Sequence, residues 1–291
     1  MPELPEVETI KRGLAGQLRG RRIHDVTVYE SKSVPMSTQQ CASFVSGATI
    51  KQLWRRGKVL GLDLNTDHTL LVHLKMTGQL LLERPHGERS GGGHPTPSLA
   101  NQLPDRSTRA VFGLDDGSRL FFNDQRKFGW IKLYPSASAQ QEELLARLGP
   151  EPSDVNFTPK TLRDSLVNRR APIKALLLDQ SVVAGLGNIY VDESLHQAQV
   201  HPLRPGNTLG MKEVERLYAA IVDIIDLAVA LEGTTFRDYL NHNGQSGGYF
   251  AQARVFNRTG QPCPTCQTAI EKIKVAGRGT HICPQCQELT P

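Results

Sequence analysis

Apolar residues recur at helical spacing over the first twenty positions: Val7, Ile10, Leu14 and Leu18, with Gly20 after the last. This run predicts an amphipathic helix, with Pro5 suited to its first turn and a glycine to stop it. From about 22 to 134 the texture changes to short alternating runs separated by turn signals. HDVTVYE, KVLGLDL, TLLVHLKM, AVFGLDDGSRLFF and FGWIKLY are examples, and Asp116-Gly117 marks a hairpin turn. Alternation at period two puts apolar side chains on one face of each strand, which predicts a β-sandwich or barrel. Residues 85–108, rich in Gly, Pro, Ser and charge, read as a long mobile loop between two strands. From about 153 the pattern is helical. Thr158-Pro159 and Ala171-Pro172 look like helix starts. Val214, Leu217, Ile221, Ile224, Ile225, Ala228 and Leu231 form one apolar stripe, ended by Gly233. No internal repeat is visible.

Composition adds bounds rather than a fold. A hydrophobic fraction of 38% over 291 residues supplies a real core and room for two domains and a small appendage. No apolar run reaches the roughly 18 residues of a membrane span. The N-terminus, MPELPEVETI, carries carboxylates where an export signal would be basic and then apolar, so the expected compartment is the cytoplasm or nucleoid. A net charge of +5 and a pI near 9.0 permit nucleic-acid binding without requiring it. Much of the excess lies in residues 251–291, where Arg254, Arg258, Lys272, Lys274 and Arg278 face only Glu271 and Glu288.

The same segment holds four of the five cysteines. Cys263-Pro-Thr-Cys266 and Cys283-Pro-Gln-Cys286 are separated by sixteen residues. Two such knuckles suit a closed tetrahedral site of four thiolates around one structural Zn2+. Two disulfides fit poorly with a chain lacking an export signal, and a redox CxxC needs no second copy. Lys272, Lys274 and Arg278 lie between the knuckles, where they suit either a phosphate backbone or plain solvent. Cys41 reads as a buried thiol.

Two further stretches carry chemistry. PIKALLLDQSVVAGLGNIYVDESL joins a short helix to a second one through an apolar turn, and Gly185 and Gly187 precede the second helix. Exposed amides at a helix start suit an anion, with Asn188, Lys174 and Arg169 nearby, although an ordinary helical hairpin has the same pattern. At the N-terminus, removal of Met1 exposes the secondary amine of Pro2. An α-amino group has a pKa near 8, so part of it is neutral and nucleophilic at pH 7. Glu3 stands beside it as a proton shuttle. Without other support, PELPEVE is only a helix start with acidic residues in its first turn.

PELPEVE, RRGK around Lys58, HLKMTG at 73–78, DQRKFG at 124–129, GLGNIYVDESL at 185–195 and the four-cysteine tail occur in that order. Together they resemble the formamidopyrimidine-DNA glycosylase family of the Fpg/Nei superfamily, from end to end. The resemblance implies an α+β multidomain fold: an N-terminal helix and β-sandwich (1–135), a helix–two-turn–helix domain with a lesion-capping loop (136–250), and a zinc finger (251–291). It implies a monomer acting on double-stranded DNA that contains an oxidised base or an abasic site. Pro2 is then the nucleophile toward C1′ of an extruded nucleotide, Glu3 the acid/base, Lys58 the helper of β-elimination and Arg278 that of δ-elimination. Met76, Arg126 and Phe128 fill the gap left by the flipped base. Arg169, Lys174 and Asn188 contact phosphate, Glu6 and Glu193 lie near the lesion pocket, and NHNGQSGGYF at 241–250 closes over the base.

Departures from the family pattern are Ser107 where a phosphate-binding histidine is usual, with Arg109 nearby, the length of 85–108, and Asn257 in place of a glycine. Two rivals remain open. An endonuclease VIII-like enzyme would act on oxidised pyrimidines, but that branch begins PEGPE. A non-catalytic DNA-binding module would have no need of Pro2, Glu3 and Lys58 together.

Overall fold

The computed structural model describes residues 1–94, 102–234 and 247–289. Helix α1 (Leu4–Leu18) starts where the sequence pattern predicts, with Glu3 and Glu6 forming a reciprocal capping box and proline in the first turn. There follow β1 (Ile23–Val28), α2 (Thr38–Val45), β2 (Ile50–Arg56), β3 (Val59–Leu64), β4 (His68–His73), β5 (Gly78–Glu83) and β6 (Arg89–Gly93). The strands β7 (Thr108–Leu114), β8 (Arg119–Asp124) and β9 (Trp130–Pro135) complete the β-rich part, and two single turns, α3 (Ser136–Ala139) and α4 (Glu143–Ala146), end it.

The strands form two antiparallel sheets, β1-β7-β8-β5-β6 and β2-β3-β4-β9. Leu60, Leu62, Leu70 and Val72 of the smaller sheet share one core with Val26, Leu80, Leu82, Phe112 and Phe122 of the larger. Val7, Ile10, Leu14 and Leu18 of α1 join that core, so the helical stripe and the strand alternation bury against each other. Each such side chain contributes roughly 1.5–3 kcal/mol relative to exposure.

Part of the expected loop at 85–108 is strand. Residues Arg89–Gly93 pair antiparallel with β5, from Glu83↔Arg89 to Gln79↔Gly93. Gly91 and Gly93 have φ of 148° and 128°, and a Cβ on either would collide with the β5 backbone. The glycines that look like loop composition are what let this edge strand lie close. Leu103, from the same stretch, packs with Leu81, Val111 and Phe121 on the outer face of the larger sheet. Helix α2 also escapes the alternation pattern, although its Ser37/Gln40 capping box is written in the sequence.

The chain packs as two compact units, 1–146 with 231–250 and 147–230 with 251–291. In the second unit, Thr158 caps α5 (Pro159–Leu166), and α6 (Ile173–Leu178) leads through a turn to α7 (Asn188–Gln197). Helix α8 (Met211–Ala230) buries the predicted stripe from Val214 to Ala228. The hairpin β10 (Glu271–Val275) and β11 (Arg278–Ile282) closes the unit. Residues 231–234 and 247–250 belong with the first unit, where Gly248 N–H donates to Leu231 O at 2.8 Å. Among the described residues, no helix is long and apolar enough to cross a membrane.

Candidate active site and nucleic-acid interface

Pro2 is buried directly before α1, and Glu3 and Glu6 behind it are buried as well. Glu6 Oε2 accepts from Glu3 N–H at 2.8 Å, and Glu6 Oε1 accepts from Thr234 N–H at 2.9 Å and Thr234 Oγ1 at 3.2 Å. Glu6 thus ties the N-terminal helix to the entrance of 235–246. Most of the expected capping loop, 241–246, lies outside the described residues.

Lys58 follows Gly57 (φ 55°) in the tight turn between β2 and β3, where Arg56 pairs with Val59. A buried ion pair holds this turn against α1. Arg55 Nε donates to Glu8 Oε2 at 3.0 Å, and Arg55 Nη1 donates to Gly57 O at 3.1 Å. Burial works to raise the Glu8 carboxyl, but hydrogen bonds from Lys11, Arg55 and Arg12 prevail and hold it below the usual range. His73, at the end of β4, is buried near Lys75 and Lys58, and burial first, then those charges, push it down to about 3. It is a neutral neighbour of Lys58 at physiological pH, a role the sequence reading missed.

Met76 and Phe128 are exposed, at 36% and 47%, on two different loops of the sandwich. Arg126 lies over the Phe128 ring, its guanidinium carbon 4.7 Å from the centroid. Ser107, at the histidine position, is buried and bonds to Asp105, and Arg109 is buried with Nε donating to Asp124 O at 2.7 Å. Neither presents a cation to solvent. The histidine's role has no replacement at these two positions.

In the second unit, Gly187 caps α7, Gly185 has φ 94°, and Asn188 opens the helix. Asn188 Nδ2 donates to Gly279 O at 3.0 Å, beside Arg278. Arg169 is exposed and pairs with Asp179 at 3.1 Å. Lys174 differs from expectation. Its side chain is fully buried, with Nζ donating to Asp192 Oδ1 at 2.6 Å, Thr280 Oγ1 at 2.8 Å and Gly279 O at 3.2 Å. An ammonium has three protons, and all three have partners here, so Lys174 anchors the β10–β11 hairpin instead of facing a phosphate. Glu193 also differs: its oxygens accept from the backbone N–H of Arg254 at 2.7 Å, Val255 at 3.0 Å and Phe256 at 2.7 Å. Burial pushes its carboxyl up, and its place is a clamp on the segment entering the finger.

Arg278 is exposed at the tip of that hairpin, beyond a turn in which Ala276 and Gly277 have φ of 48° and 76°. The ligand atoms of Cys263, Cys266, Cys283 and Cys286 all lie within 4.8 Å of one another. A tetrahedron with metal–sulfur bonds of about 2.3 Å has edges of roughly 3.8 Å, so the four sulfurs fit one ion. Hydrogen bonds from Thr268 hold Cys266 down to about 6, favouring the ligating thiolate, whereas burial pushes Cys286 up. Four clustered sulfurs of this kind ionise together only around a cation.

Three family models match in chain order: the formamidopyrimidine-DNA glycosylase N-terminal domain over residues 1–131, its H2TH domain over 148–239, and a zinc finger found in FPG and IleRS over 260–289. Sandwich, helical hinge and thiolate finger therefore define the class as a three-part DNA glycosylase of base excision repair. A formamidopyrimidine-DNA glycosylase of Chloroflexus aurantiacus is 42% identical over 288 residues, covering 99% of this chain and 98% of that one. Its counterpart in Geobacillus kaustophilus is 42% identical over 289 residues, covering 99% and 100%. The chain belongs to the formamidopyrimidine-DNA glycosylase family, whose members are glycosylases with AP lyase activity. A solved structure of a Lactococcus lactis FPG mutant with Fapy-dG-containing DNA superposes with a TM-score of 0.88 at 34% identity, covering 99% of this chain and 100% of that one. A MutM complex with carbocyclic 8-oxo-G-containing DNA gives 0.87 at 33%, with the same coverage.

Proposed function

We propose that this chain excises oxidised purines, formamidopyrimidines and 8-oxoguanine, from duplex DNA through a Schiff base on Pro2, and then cuts the strand by β,δ-elimination. The observation that carries the reading is the buried proline at the chain start with the buried carboxylates of Glu3 and Glu6 behind it. With Met1 removed, the Pro2 nitrogen lone pair forms a bond to C1′ as the bond from C1′ to the base breaks, and the departing base takes up a proton. Opening of the sugar ring yields an iminium at C1′, with Glu3 moving the protons. The iminium acidifies the C2′ proton. Its loss expels the 3′ phosphate, and a second elimination expels the 5′ phosphate. Lys58 assists the first and Arg278 the second. The nucleotide leaves the stack because C1′ is out of reach within it.

Met76, Arg126 and Phe128 enter the vacated space, with Phe128 as wedge and Arg126 bonding the orphaned base. Exposed apolar side chains beside a stacked cation support this part. Arg169 and Asn188 face phosphate, and Lys174 acts on DNA only through the hairpin it anchors. One Zn2+ held by Cys263, Cys266, Cys283 and Cys286 keeps that hairpin folded. The protein acts as a monomer in the cytoplasm.

The proposal makes a free amine at Pro2 the condition for chemistry. Intact-mass spectrometry should show loss of Met1, and borohydride during turnover should trap a protein–DNA adduct mapping to Pro2. A retained Met1 with undiminished excision, or trapping elsewhere, would overturn it. Preference for thymine glycol opposite adenine over 8-oxoguanine opposite cytosine would overturn the substrate class.

A further inference from the structure

Asp124 is fully buried, yet no catalytic or DNA-contacting role falls to it. Its carboxylate binds two loops at once. Oδ1 accepts from Thr77 Oγ1 and from Arg126 N–H at 3.1 Å, while Oδ2 accepts from Phe128 N–H at 2.8 Å and Gly129 N–H at 2.6 Å. Thr77 Oγ1 also accepts from Arg126 N–H at 3.1 Å. Thr77 follows Met76, so one carboxylate joins the loop that carries Met76 to the loop that carries Arg126 and Phe128. The surroundings are shaped to it. A Cβ on Gly129 would stand 3.1 Å from Asp124 Oδ2 and 3.0 Å from Phe122, so a side chain there would crowd the carboxylate. The Asp124 backbone is held in turn by Arg109 at its carbonyl and by Ser107 O at its N–H.

Both loops need holding. Lys75, just before Met76, has φ 50°, and Lys127, between Arg126 and Phe128, has φ 56°. Left-handed backbone is costly for lysine and persists where surrounding bonds over-determine it. A buried anion receiving several donors does this, because each N–H or O–H that moved away would leave part of the charge unsatisfied.

We infer that Asp124 and Thr77 are positioning residues that lock the Met76 loop and the Arg126–Phe128 loop into one rigid unit, so that all three side chains enter the duplex together. The inference rests on the proposed gap-filling role of those three residues. Their joint entry senses the orphaned base, so loosening the lock should blunt opposite-base discrimination as well as slow base extrusion.

The test uses the full-length enzyme with zinc bound and a duplex carrying 8-oxoguanine, with 2-aminopurine next to the orphaned cytosine as a fluorescent report of insertion. Thr77→Val exchanges the hydroxyl for a methyl, removing one donor to Asp124 and one acceptor for Arg126 N–H, and leaves the three backbone donors on Asp124. Asp124→Asn keeps the shape but replaces one acceptor oxygen by a donor. Under single turnover, each should lower excision about tenfold or more, shrink the 2-aminopurine transient and narrow the preference for cytosine over adenine opposite the lesion. Cleavage at a preformed abasic site, which has no base to extrude, should change less than about threefold. A merely structural role would lower both reactions together.

Phe128→Ala and Met76→Ala separate the layers of the idea. Should they reduce the fluorescent transient while Thr77→Val and Asp124→Asn leave excision, transient and discrimination intact, the lock is refuted and gap filling stands. Should neither alanine variant alter the transient, gap filling fails, and the lock falls with it. If Asp124→Asn does not fold, Thr77→Val decides alone.

Discussion

Chemistry in this chain depends on single side chains whose environments differ sharply. His73 is the clearest acid-sensitive one. Its folded pKa is lowered to about 3, against roughly 6.5 in an unfolded chain. Between those values the unfolded state binds a proton that the native state refuses, so stability falls as pH drops from about 6.5 toward about 3. The loss attributable to this group approaches about 1.4 kcal/mol per pH unit inside that window. Urea unfolding at pH 7 and pH 5 should show a steeper loss for the parent than for His73→Gln, and parallel losses would remove His73 from the account. Residues like this are hard to find by inspection. HLKMTG is legible as a motif, yet nothing in it says that the histidine is buried or that Lys58 lies near it.

Elements explain why residues far apart in the chain act together. The hinge between α6 and α7 is readable from its glycines, and so is the helix start at Asn188. What the hinge does with its charges is not. Asp192 accepts from Lys174 through one oxygen and from His281 N–H at 2.9 Å through the other, and Glu193 beside it clamps 254–256. The adjacent acids of α7 therefore dock the finger on the helical unit. Removing one partner of a buried pair costs about 3–5 kcal/mol, because the other charge stays desolvated. Lys174→Met should lower thermal stability by that order, and Lys174→Met with Asp192→Asn should recover part of it. Equal melting temperatures for parent and single variant would exclude the anchoring role.

At the scale of the molecule, the proposed hold on DNA rests on a metal-held finger and on surface charge. The finger core is small, with Val255, Ile270 and the cysteines clustered in it and Val275 and Ile282 buried on its hairpin, so a bound metal would carry much of its folding energy. Strong chelation or Cys263→Ser should abolish duplex binding in a gel-shift or anisotropy assay. Unchanged affinity after verified zinc loss would detach the finger from DNA binding. With the metal in place, Arg278→Ala should reduce the slope of log K against log salt by about one phosphate contact, uniformly across sequences. A slope equal to that of the parent would leave Arg278 without a phosphate.

The family, the helix at 4–18, the sandwich and the thiolate set were all written in the sequence, because each depends on spacing within a short stretch: period 3.6, period two, or paired ligands two residues apart. So was the adjacency of Pro2 and Glu3, on which the proposed chemistry rests. Tertiary structure alone decided which charges face outward. Lys174 and Thr280 are 106 positions apart, and Thr77 and Asp124 are 47 apart, so no local pattern reports their bonds. Burial belongs to the whole packed chain. It turned an expected phosphate ligand into an anchor, an expected pocket acid into a clamp, a glycine-rich loop into an edge strand, and an unremarked aspartate into the residue that joins two loops.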